Sequence, residues 1–307
     1  MIARSHDIIV ITGPTASGKT RFAALLASQL GGEIISADSR QVYRGMDIGT
    51  GKDYDDYVVD GLKVPSHLID IADPGYKYNV FEYQRDFLEV YNRLKKRDII
   101  PVVCGGSGMY LDSIISGYKL IKVPVNKELR DRLEHRTMED LIEILSSYKD
   151  IHNKTDIDTR KRAIRAIEIA EYYRDNAGSE DEFPRMKPLI LGIFTDRATR
   201  RRRISERLDS RLKSGMIEEV RGLLEGGVSP DDLVYYGLEY KYITYYLQGK
   251  ISYDEMKQGL ETAIHRFAKR QMTWFRGMER RGIKIQWIDG ELDNKIKLQK
   301  ALRFLED

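Results

Sequence analysis

The chain has 307 residues, of which 41% are hydrophobic and 32% are charged, and its formal net charge is +3. This length suffices for one large or two modest domains, and so small a net charge does not by itself indicate nucleic-acid binding. A single cysteine, Cys104, excludes an internal disulfide, and without a leader or a membrane-length apolar run we expect a soluble, cytoplasmic protein, in which nothing requires more than a monomer.

The first predicted element is a strand at residues 8–11, a short apolar run that is rich in β-branched side chains and ends at a glycine and a proline. A helix is predicted at residues 22–30, because apolar residues recur at helical spacing and two glycines follow. Between them the sequence has the phosphate-loop pattern of two glycines, a lysine and a hydroxyl residue. The loop consists of Gly13, Pro14, Thr15, Ala16, Ser17, Gly18, Lys19 and Thr20.

The residue types of this loop suit a phosphate group. Glycines allow backbone N–H groups to surround an anion, and Lys19 can reach its outer oxygens. The hydroxyl of Thr20 can hold Mg²⁺, and the following helix directs its positive end at the anion. A purely structural turn is the alternative, and the strand and helix on either side argue against it. We therefore predict a binding site for a phosphorylated ligand.

The elements that follow are typical of a doubly wound parallel sheet, an α/β fold. Strands are predicted at residues 33–37, 64–71 and 99–104, and helices at residues 80–96 and 109–115. Ligands bind at the carboxyl ends of the strands in such folds. Asp38 follows one predicted strand, and Ser107 follows another within a Gly-Gly-Ser-Gly sequence. Asp38 is therefore expected beside the phosphate loop.

Residues 119–187 have a charged, helical pattern without a strand, and we predict a helical insertion domain there. The phosphate-loop catalytic core then comprises residues 1–118 and 188–307. Its second part is predicted to contain a strand at 189–194, helices at 197–224, 233–247 and 256–277, a strand at 283–288 and a short C-terminal helix.

The phosphate loop alone does not show which reaction its ligand undergoes. Motor ATPases and GTPases carry an acidic residue after a central strand, and residues 99–104 have none after them, which argues against nucleotide hydrolysis. Residues 153–156 mimic a guanine-reading motif but follow a polar segment, so we interpret that match as chance. A small-molecule kinase remains an alternative, because Arg160, Arg162 and Arg165 could form a lid over a phosphate. A solvated helix face is the other interpretation of these arginines.

The C-terminal part is predicted to present a basic and aromatic surface. Basic residues outnumber acidic ones between residues 197 and 281, and Lys269, Thr273, Arg276 and Arg280 share one helix face. Tyrosines crowd the preceding helix at Tyr235, Tyr236, Tyr240, Tyr242, Tyr245 and Tyr246. Such a surface suits single-stranded RNA loops, because bases stack on aromatic rings while Lys and Arg contact phosphates. The alternative is that the tyrosines are core and the arginines are solvated.

Several motifs together resemble the tRNA dimethylallyltransferases. They are the phosphate loop, residues 38–50 (Asp-Ser-Arg-Gln-Val-Tyr-Arg-Gly-Met-Asp-Ile-Gly-Thr), residues 105–110, Arg162 with residues 165–168, and residues 269–276 (Lys-Arg-Gln-Met-Thr-Trp-Phe-Arg). They occur in the order of that family from end to end. The second and the last are the most specific.

This resemblance implies transfer of a dimethylallyl group from dimethylallyl diphosphate to N6 of the adenosine just 3′ of the tRNA anticodon, with Mg²⁺ as cofactor and no ATP hydrolysis. The phosphate loop, with Arg162 and Arg165, would bind the diphosphate. The implied catalytic residues are Asp38, which would accept a proton, Lys19, Thr20 and Ser107. The implied contacts with the tRNA anticodon stem-loop are Asp38, Ser39, Arg40, Gln41, Ser107, Lys161, Arg162, Arg165, Lys269, Arg270, Gln271, Thr273, Trp274 and Arg276.

The chain departs from the resembled family at Leu238 and Glu239, where the family commonly has tyrosine and arginine. Three other functions therefore stay open beside tRNA prenylation. One is prenyl transfer to a free adenine nucleotide, against which the basic stripe argues. The second is a small-molecule kinase, and the third is an RNA-binding module without catalysis.

Overall fold

The structure is a computed structural model that describes residues 5–117, 120–148, 151, 157–176 and 183–306. The chain divides into two compact units, Met1–Tyr118 with Pro184–Asp307, and Lys119–Phe183. The predicted insertion, residues 119–187, covers the second unit and the first four residues after it. The guanine-like sequence at residues 153–156 lies outside the described residues.

The first unit is built on a parallel sheet. Its strands are β1 (Ile8–Thr12), β2 (Glu33–Ser36), β3 (Val58–Val59), β4 (Leu62–Lys63), β5 (Ser66–His67), β6 (Pro101–Gly105), β7 (Pro188–Phe194) and β8 (Gln286–Asp289). Six strands pair in the parallel order β5-β2-β6-β1-β7-β8, while β3 and β4 form a separate antiparallel pair. The predicted α/β fold with a parallel sheet is confirmed.

The order of the strands determines where a site can form. Every residue of β1, β2 and β6 is buried, which explains why their sequences are mostly apolar. Because β2, β6 and β1 are neighbours and parallel, the segments that leave their carboxyl ends lie at one edge of the sheet. Side chains of β1 such as Ile9 and Ile11 pack with Phe22 and Leu26 in the core beneath that edge.

The helices of the described residues are α1 (Lys19–Leu30), α2 (Val80–Lys96), α3 (Gly108–Ile115), α4 (Lys127–Glu134), α5 (Met138–Tyr148), α6 (Arg160–Asp175), α7 (Arg197–Lys213), α8 (Met216–Glu225), α9 (Pro230–Tyr236), α10 (Leu238–Leu247), α11 (Tyr253–Arg280) and α12 (Asn294–Glu306). A capping box between Ser252 and Glu255 begins α11. Across these ranges no helix has both the length and the apolar character that a membrane span requires.

The second unit contains α4, α5 and α6, whose core includes Leu133, Leu145 and Ile167. A buried carboxylate, Glu168, links its helices. Glu168 accepts hydrogen bonds from Arg130, at 2.8 Å from Nη2, and from Arg165. Burial alone would raise the pKa of Glu168, but these two arginines lower it below the ordinary value. Both arginines therefore stabilise this unit.

Three predicted elements are corrected by the structure. The helix predicted at 197–224 is two helices, α7 and α8, because the chain turns through Gly215 with a φ of 96°. The helix predicted at 233–247 is likewise interrupted, at Gly237, between α9 and α10. The strand predicted at 64–71 shortens to β5, since Leu68 and Asp70 have positive φ values that extended strands do not accommodate.

Candidate active site

The phosphate loop connects β1 to the first turn of α1 at the carboxyl edge of the sheet. A Cβ atom at Gly13 would overlap the carbonyl group of Ile193 on β7, so only glycine fits this close approach. Gly18 precedes α1 with a φ of 81°, and no side chain caps the helix. The first N–H groups of α1 are therefore available to an anion at the helix N-terminus.

Two polar side chains of the loop favour an anionic ligand. The hydroxyl of Ser17 is buried without a hydrogen-bond partner in the described part of the chain, an arrangement that costs about 1–3 kcal/mol. Burial lowers the pKa of Lys19; Cys104 and Asp38 oppose this shift, while nearby arginines reinforce it. A phosphate group in the loop would give both side chains a partner, which supports the predicted binding site.

Asp38 lies directly after β2 in a hydrogen-bonded turn. Its N–H donates to the hydroxyl oxygen of Ser36 at 3.3 Å, and its Oδ1 accepts the N–H of Arg40 at 2.9 Å. No other described group donates to this half-buried carboxylate, so Oδ2 is available to a ligand. Asp38 leaves the same edge of the sheet as the phosphate loop, because β1 and β2 both pair in parallel with β6.

Ser107, which follows β6, is joined to the same turn. Its Oγ accepts the N–H of Ser39 at 3.0 Å and lies 3.3 Å from the Ser39 hydroxyl. Its own N–H donates to the carbonyl oxygen of Ala37 at 3.3 Å. The structure thus brings Asp38, Ser39 and Ser107 together at the sheet edge, next to the loop.

Two glutamines that the resemblance places among the tRNA contacts are hydrogen-bonded within the protein. Gln271 of α11 is buried; it accepts the N–H of Thr15 at 2.8 Å and donates to the carbonyl oxygen of Gly106 at 3.0 Å. Gln41 is also buried, and it donates to the carbonyl oxygen of Gly51 at 3.0 Å. Both side chains therefore hold loops of the site in place, and their contacts with tRNA stay predictions.

Two arginines of α7 that are not among the predicted site residues lie near the site, and one of them contacts the phosphate loop. Arg207 donates to the hydroxyl of Thr15 within the loop. Burial lowers the pKa of Arg207 to about 10, which leaves the side chain charged at neutral pH. Arg211, one turn further along α7, pairs with Asp53 at 3.0 Å and is only 12% exposed. In the sequence, the spacing of four residues between Arg207 and Arg211 indicates that they share a helix face. The adjacent basic block at residues 200–203 is more conspicuous, so this signal was missed.

Glu239, one of the two positions that depart from the resembled family, belongs to this charged cluster. It lies in the first turn of α10. Burial raises the pKa of Glu239, Arg211 and Arg207 act in the opposite direction, and Asp38 adds to the rise. The net direction is upward, and the ion-pair partner of Arg211 is Asp53.

The basic stripe of α11 is exposed as predicted. Lys269, Thr273, Arg276 and Arg280 are exposed, as is Arg270 beside them, and none of these four cations has an acidic partner within salt-bridge distance among the described residues. Trp274 is half-buried and its ring packs against Gly108 at the start of α3. The stripe therefore offers uncompensated positive charge.

The tyrosines near this region separate into two groups. Tyr236 and Tyr240 are fully buried and belong to the core, so the prediction of an aromatic surface is wrong for them. Tyr235 is 46% exposed, and the guanidinium carbon of Arg40 and the Nζ atom of Lys77 lie 5.6 Å from its ring centroid. Tyr235 remains suited to stacking against a base.

The remaining predicted site residues lie in the second unit, in the first turns of α6. Lys161 and Arg162 are exposed, and Arg162 pairs with Asp158 at 3.0 Å. Arg165 donates to Glu168 and, at 2.9 Å, to the carbonyl oxygen of Val123. Their roles toward diphosphate and tRNA stay predictions.

A metal ion would have few protein ligands here. The described ranges contain no cluster of three or more His, Cys, Asp or Glu residues that could hold one. The hydroxyl of Thr20, in the first turn of α1, is an oxygen donor of the kind Mg²⁺ accepts. Because Mg²⁺ commonly keeps its waters and binds phosphate oxygens, one hydroxyl beside a phosphate site fits this ion.

Comparisons with known proteins agree with this geometry. Residues 41–278 match the family described as IPP transferase, and residues 6–63 match isopentenyl transferase. The chain is 62% identical over 307 residues to "tRNA dimethylallyltransferase 2" of Bacteroides fragilis (strain YCH46), covering 100% of both chains. It is 58% identical over 304 residues to "tRNA dimethylallyltransferase 1" of Parabacteroides distasonis, covering 99% of both.

Solved structures are similar as well. The full-length tRNA isopentenylpyrophosphate transferase of Bacillus halodurans has a TM-score of 0.72 at 31% identity, covering 97% of this chain and 95% of that one. A eukaryotic dimethylallyltransferase acting on tRNA has a TM-score of 0.75 at 22% identity, covering 92% and 73%, a likeness of fold.

A parallel α/β sheet with a phosphate loop, a facing carboxylate and two arginines defines a phosphate-loop enzyme of the group-transfer class. The family model and the relatives, which match nearly the whole chain, identify the family within this class. The chain belongs to the IPP transferase family, a family of prenyltransferases.

Proposed function

We propose that this protein transfers a dimethylallyl group from dimethylallyl diphosphate to N6 of the adenosine on the 3′ side of a tRNA anticodon, and releases diphosphate. The observation that carries the proposal is the position of Asp38, a carboxylate with a free oxygen beside the phosphate loop. The names of the relatives, which specify both tRNA and the dimethylallyl group, support the same reaction.

The loop accounts for the departure of the leaving group. When the bond between the prenyl carbon and the diphosphate oxygen breaks, negative charge develops on the diphosphate. The N–H groups at the start of α1, Lys19 and Arg207 surround this position and stabilise that charge. Mg²⁺, which Thr20 would hold, supplies further neutralisation of the diphosphate when it is bound.

Asp38 accounts for the nucleophile. An adenine N6 amine is weakly nucleophilic, because its lone pair is delocalised into the ring. Hydrogen bonding to Oδ2 of Asp38 orients the amine, and as N6 bonds to the prenyl carbon the carboxylate accepts the proton that nitrogen loses. The turn through Ser36 and Arg40 fixes the direction of the carboxylate. The adenosine leaves its stack to reach this position, which costs least in a loop.

The exposed stripe of α11 supports a macromolecular substrate. A free nucleotide would not require Lys269, Arg270 and Arg276, whereas the phosphates of an anticodon stem-loop do. We propose that the protein acts as a monomer in the cytoplasm, where its tRNA substrate is found.

Diphosphate release, measured with every pairing of donor and acceptor, tests this function. Release is expected only with dimethylallyl diphosphate and a tRNA that has adenosine 3′ of the anticodon. Release with AMP, ADP or ATP as acceptor would favour an adenylate prenyltransferase. Turnover of ATP without a prenyl donor would favour a kinase. Binding of tRNA without any release would favour an RNA-binding module.

Replacing Arg276 with alanine is expected to weaken tRNA binding about three- to thirtyfold and to reduce the slope of log K against log salt by about one, because one phosphate contact is lost. Filter binding over a series of salt concentrations measures both quantities. Lys96→Ala is the matched control: it removes one exposed cation at the end of α2 that leads into β6, on the opposite edge of the sheet. An unchanged slope in the Arg276 variant would exclude the proposed contact.

Truncating the exposed ring of Tyr235 to alanine is expected to weaken tRNA binding about 5- to 150-fold, since stacking of one base on an aromatic ring contributes about 1–3 kcal/mol. The KM for dimethylallyl diphosphate should not change. Tyr235→Phe, which keeps the ring, serves as the control and should bind tRNA almost as well as the natural protein. If phenylalanine and alanine weaken binding equally, the ring does not stack on a base.

A further inference from the structure

The carboxylate of Glu219 binds the backbone of a distant segment. Glu219 lies on α8, and its Oε2 accepts the N–H groups of Asp47 at 2.9 Å and Ile48 at 2.7 Å, while Oε1 accepts that of Gly49 at 3.0 Å. Tyr240 donates its hydroxyl to Oε1 at 2.6 Å. Successive N–H groups that converge in this way form a site for an anion, and here the protein supplies the anion itself.

The segment that Glu219 binds contains a buried lysine, Lys52, which fixes it further. The ammonium group of Lys52 is 2.8 Å from Oδ1 of Asp47, and it also donates to Asp70 and to the carbonyl oxygen of Tyr43. Its side chain is 1% exposed. The segment from 47 to 53 therefore has a fixed position, with Glu219 as its contact to α8.

The end of this segment contacts Arg211. Asp53 pairs with Arg211 at 3.0 Å, and a Cβ atom at Gly51 would overlap the guanidinium group of Arg211. Arg211 is one helical turn from Arg207, which donates to Thr15 of the phosphate loop. Glu219 therefore contacts one end of residues 47–53, and Arg211 contacts the other end.

We propose that Glu219 is a positioning residue for the diphosphate: by binding the amides of Asp47, Ile48 and Gly49, it fixes the segment whose Asp53 holds Arg211, one helical turn from Arg207 at the phosphate loop. This inference rests on the proposed function only in taking diphosphate as the ligand of the loop. Glutamine at position 219 offers one accepting oxygen where the carboxylate offers two, and its amide N–H₂ group would face backbone donors. The segment would then shift and Arg211 would lose its orientation.

The binding of inorganic diphosphate to the full-length protein, measured by calorimetry, tests this inference without requiring transfer. Glu219→Gln is expected to weaken diphosphate binding about tenfold, the effect of leaving buried N–H groups unpaired. It should raise the KM for dimethylallyl diphosphate more than it lowers kcat, and leave tRNA affinity unchanged. Val220→Ala is the matched control, because it truncates a buried neighbour on the same helix and should leave diphosphate affinity unchanged.

A double-mutant cycle separates positioning from general destabilisation. If Glu219 acts through Arg211, adding Glu219→Gln to Arg211→Met should cause no further loss of diphosphate affinity. Fully additive losses, or an equal loss in Val220→Ala, would overturn the inference. If the natural protein binds diphosphate but prenylates no tRNA, the proposed function is wrong. The double-mutant cycle still tests this inference, because it measures only diphosphate affinity.

Discussion

Asp38→Asn is expected to lower the rate of prenyl transfer by about 10²–10⁴-fold, the range that a positioned proton acceptor contributes, while tRNA affinity stays within about twofold. Asparagine has nearly the same shape and can keep the hydrogen bond from the N–H of Arg40. Its amide cannot accept a proton from the adenine amine. Single-turnover transfer with saturating tRNA and donor isolates this step, and Asp38→Ala should be impaired at least as much.

The control for this prediction is the tRNA dissociation constant of the same two variants. A parallel loss of rate and of tRNA affinity would indicate that Asp38 binds the substrate without acting on its proton. A transfer rate equal to that of the natural protein would remove Asp38 from the mechanism altogether.

Lys19→Met is expected to reduce kcat/KM for dimethylallyl diphosphate by about 10²–10³-fold, because it removes a cation from the place where the leaving group gains charge. Methionine keeps much of the length of the side chain. The measurement is steady-state release of diphosphate at saturating tRNA. Lys19→Arg, which retains the charge with a different shape, should lose less activity than Lys19→Met.

The pH dependence of this step follows from the environment of Lys19. Burial lowers its pKa in the ligand-free protein, so the ammonium form is present at low pH and is lost as pH rises through that lowered value. Since kcat/KM reports the free enzyme, it should fall on the alkaline side before the ordinary pKa of lysine is reached. The same decline in Lys19→Met would mean that another group is responsible.

The sheet and the loop are the parts that the sequence predicts well, and the reason is local. Residues 8–11 are β-branched and end at Gly13, so strand and phosphate loop are visible together. The position of Asp38 follows because it comes just after a buried strand, and parallel neighbours share one edge. These inferences need only periodicity and the rule for ligand sites in α/β sheets.

The parts that the sequence does not predict depend on which helix faces meet. Arg207 lies on a helix with many other arginines, and periodicity does not show which of them faces the loop. Gln271 shares a motif with exposed cations, yet it reaches Thr15 across 256 positions of sequence. Tyr236 and Tyr240 are aromatic and polar, so their burial depends on partners that only tertiary structure supplies.

Mass spectrometry of nucleosides from tRNA treated with the purified protein and dimethylallyl diphosphate tests the central claim most directly. With the natural protein, one adenosine per tRNA, located 3′ of the anticodon, is expected to carry a dimethylallyl group on N6, and Asp38→Asn should modify far less tRNA in the same time. Unmodified tRNA after incubation with active, tRNA-binding protein, or modification at another position, would contradict it.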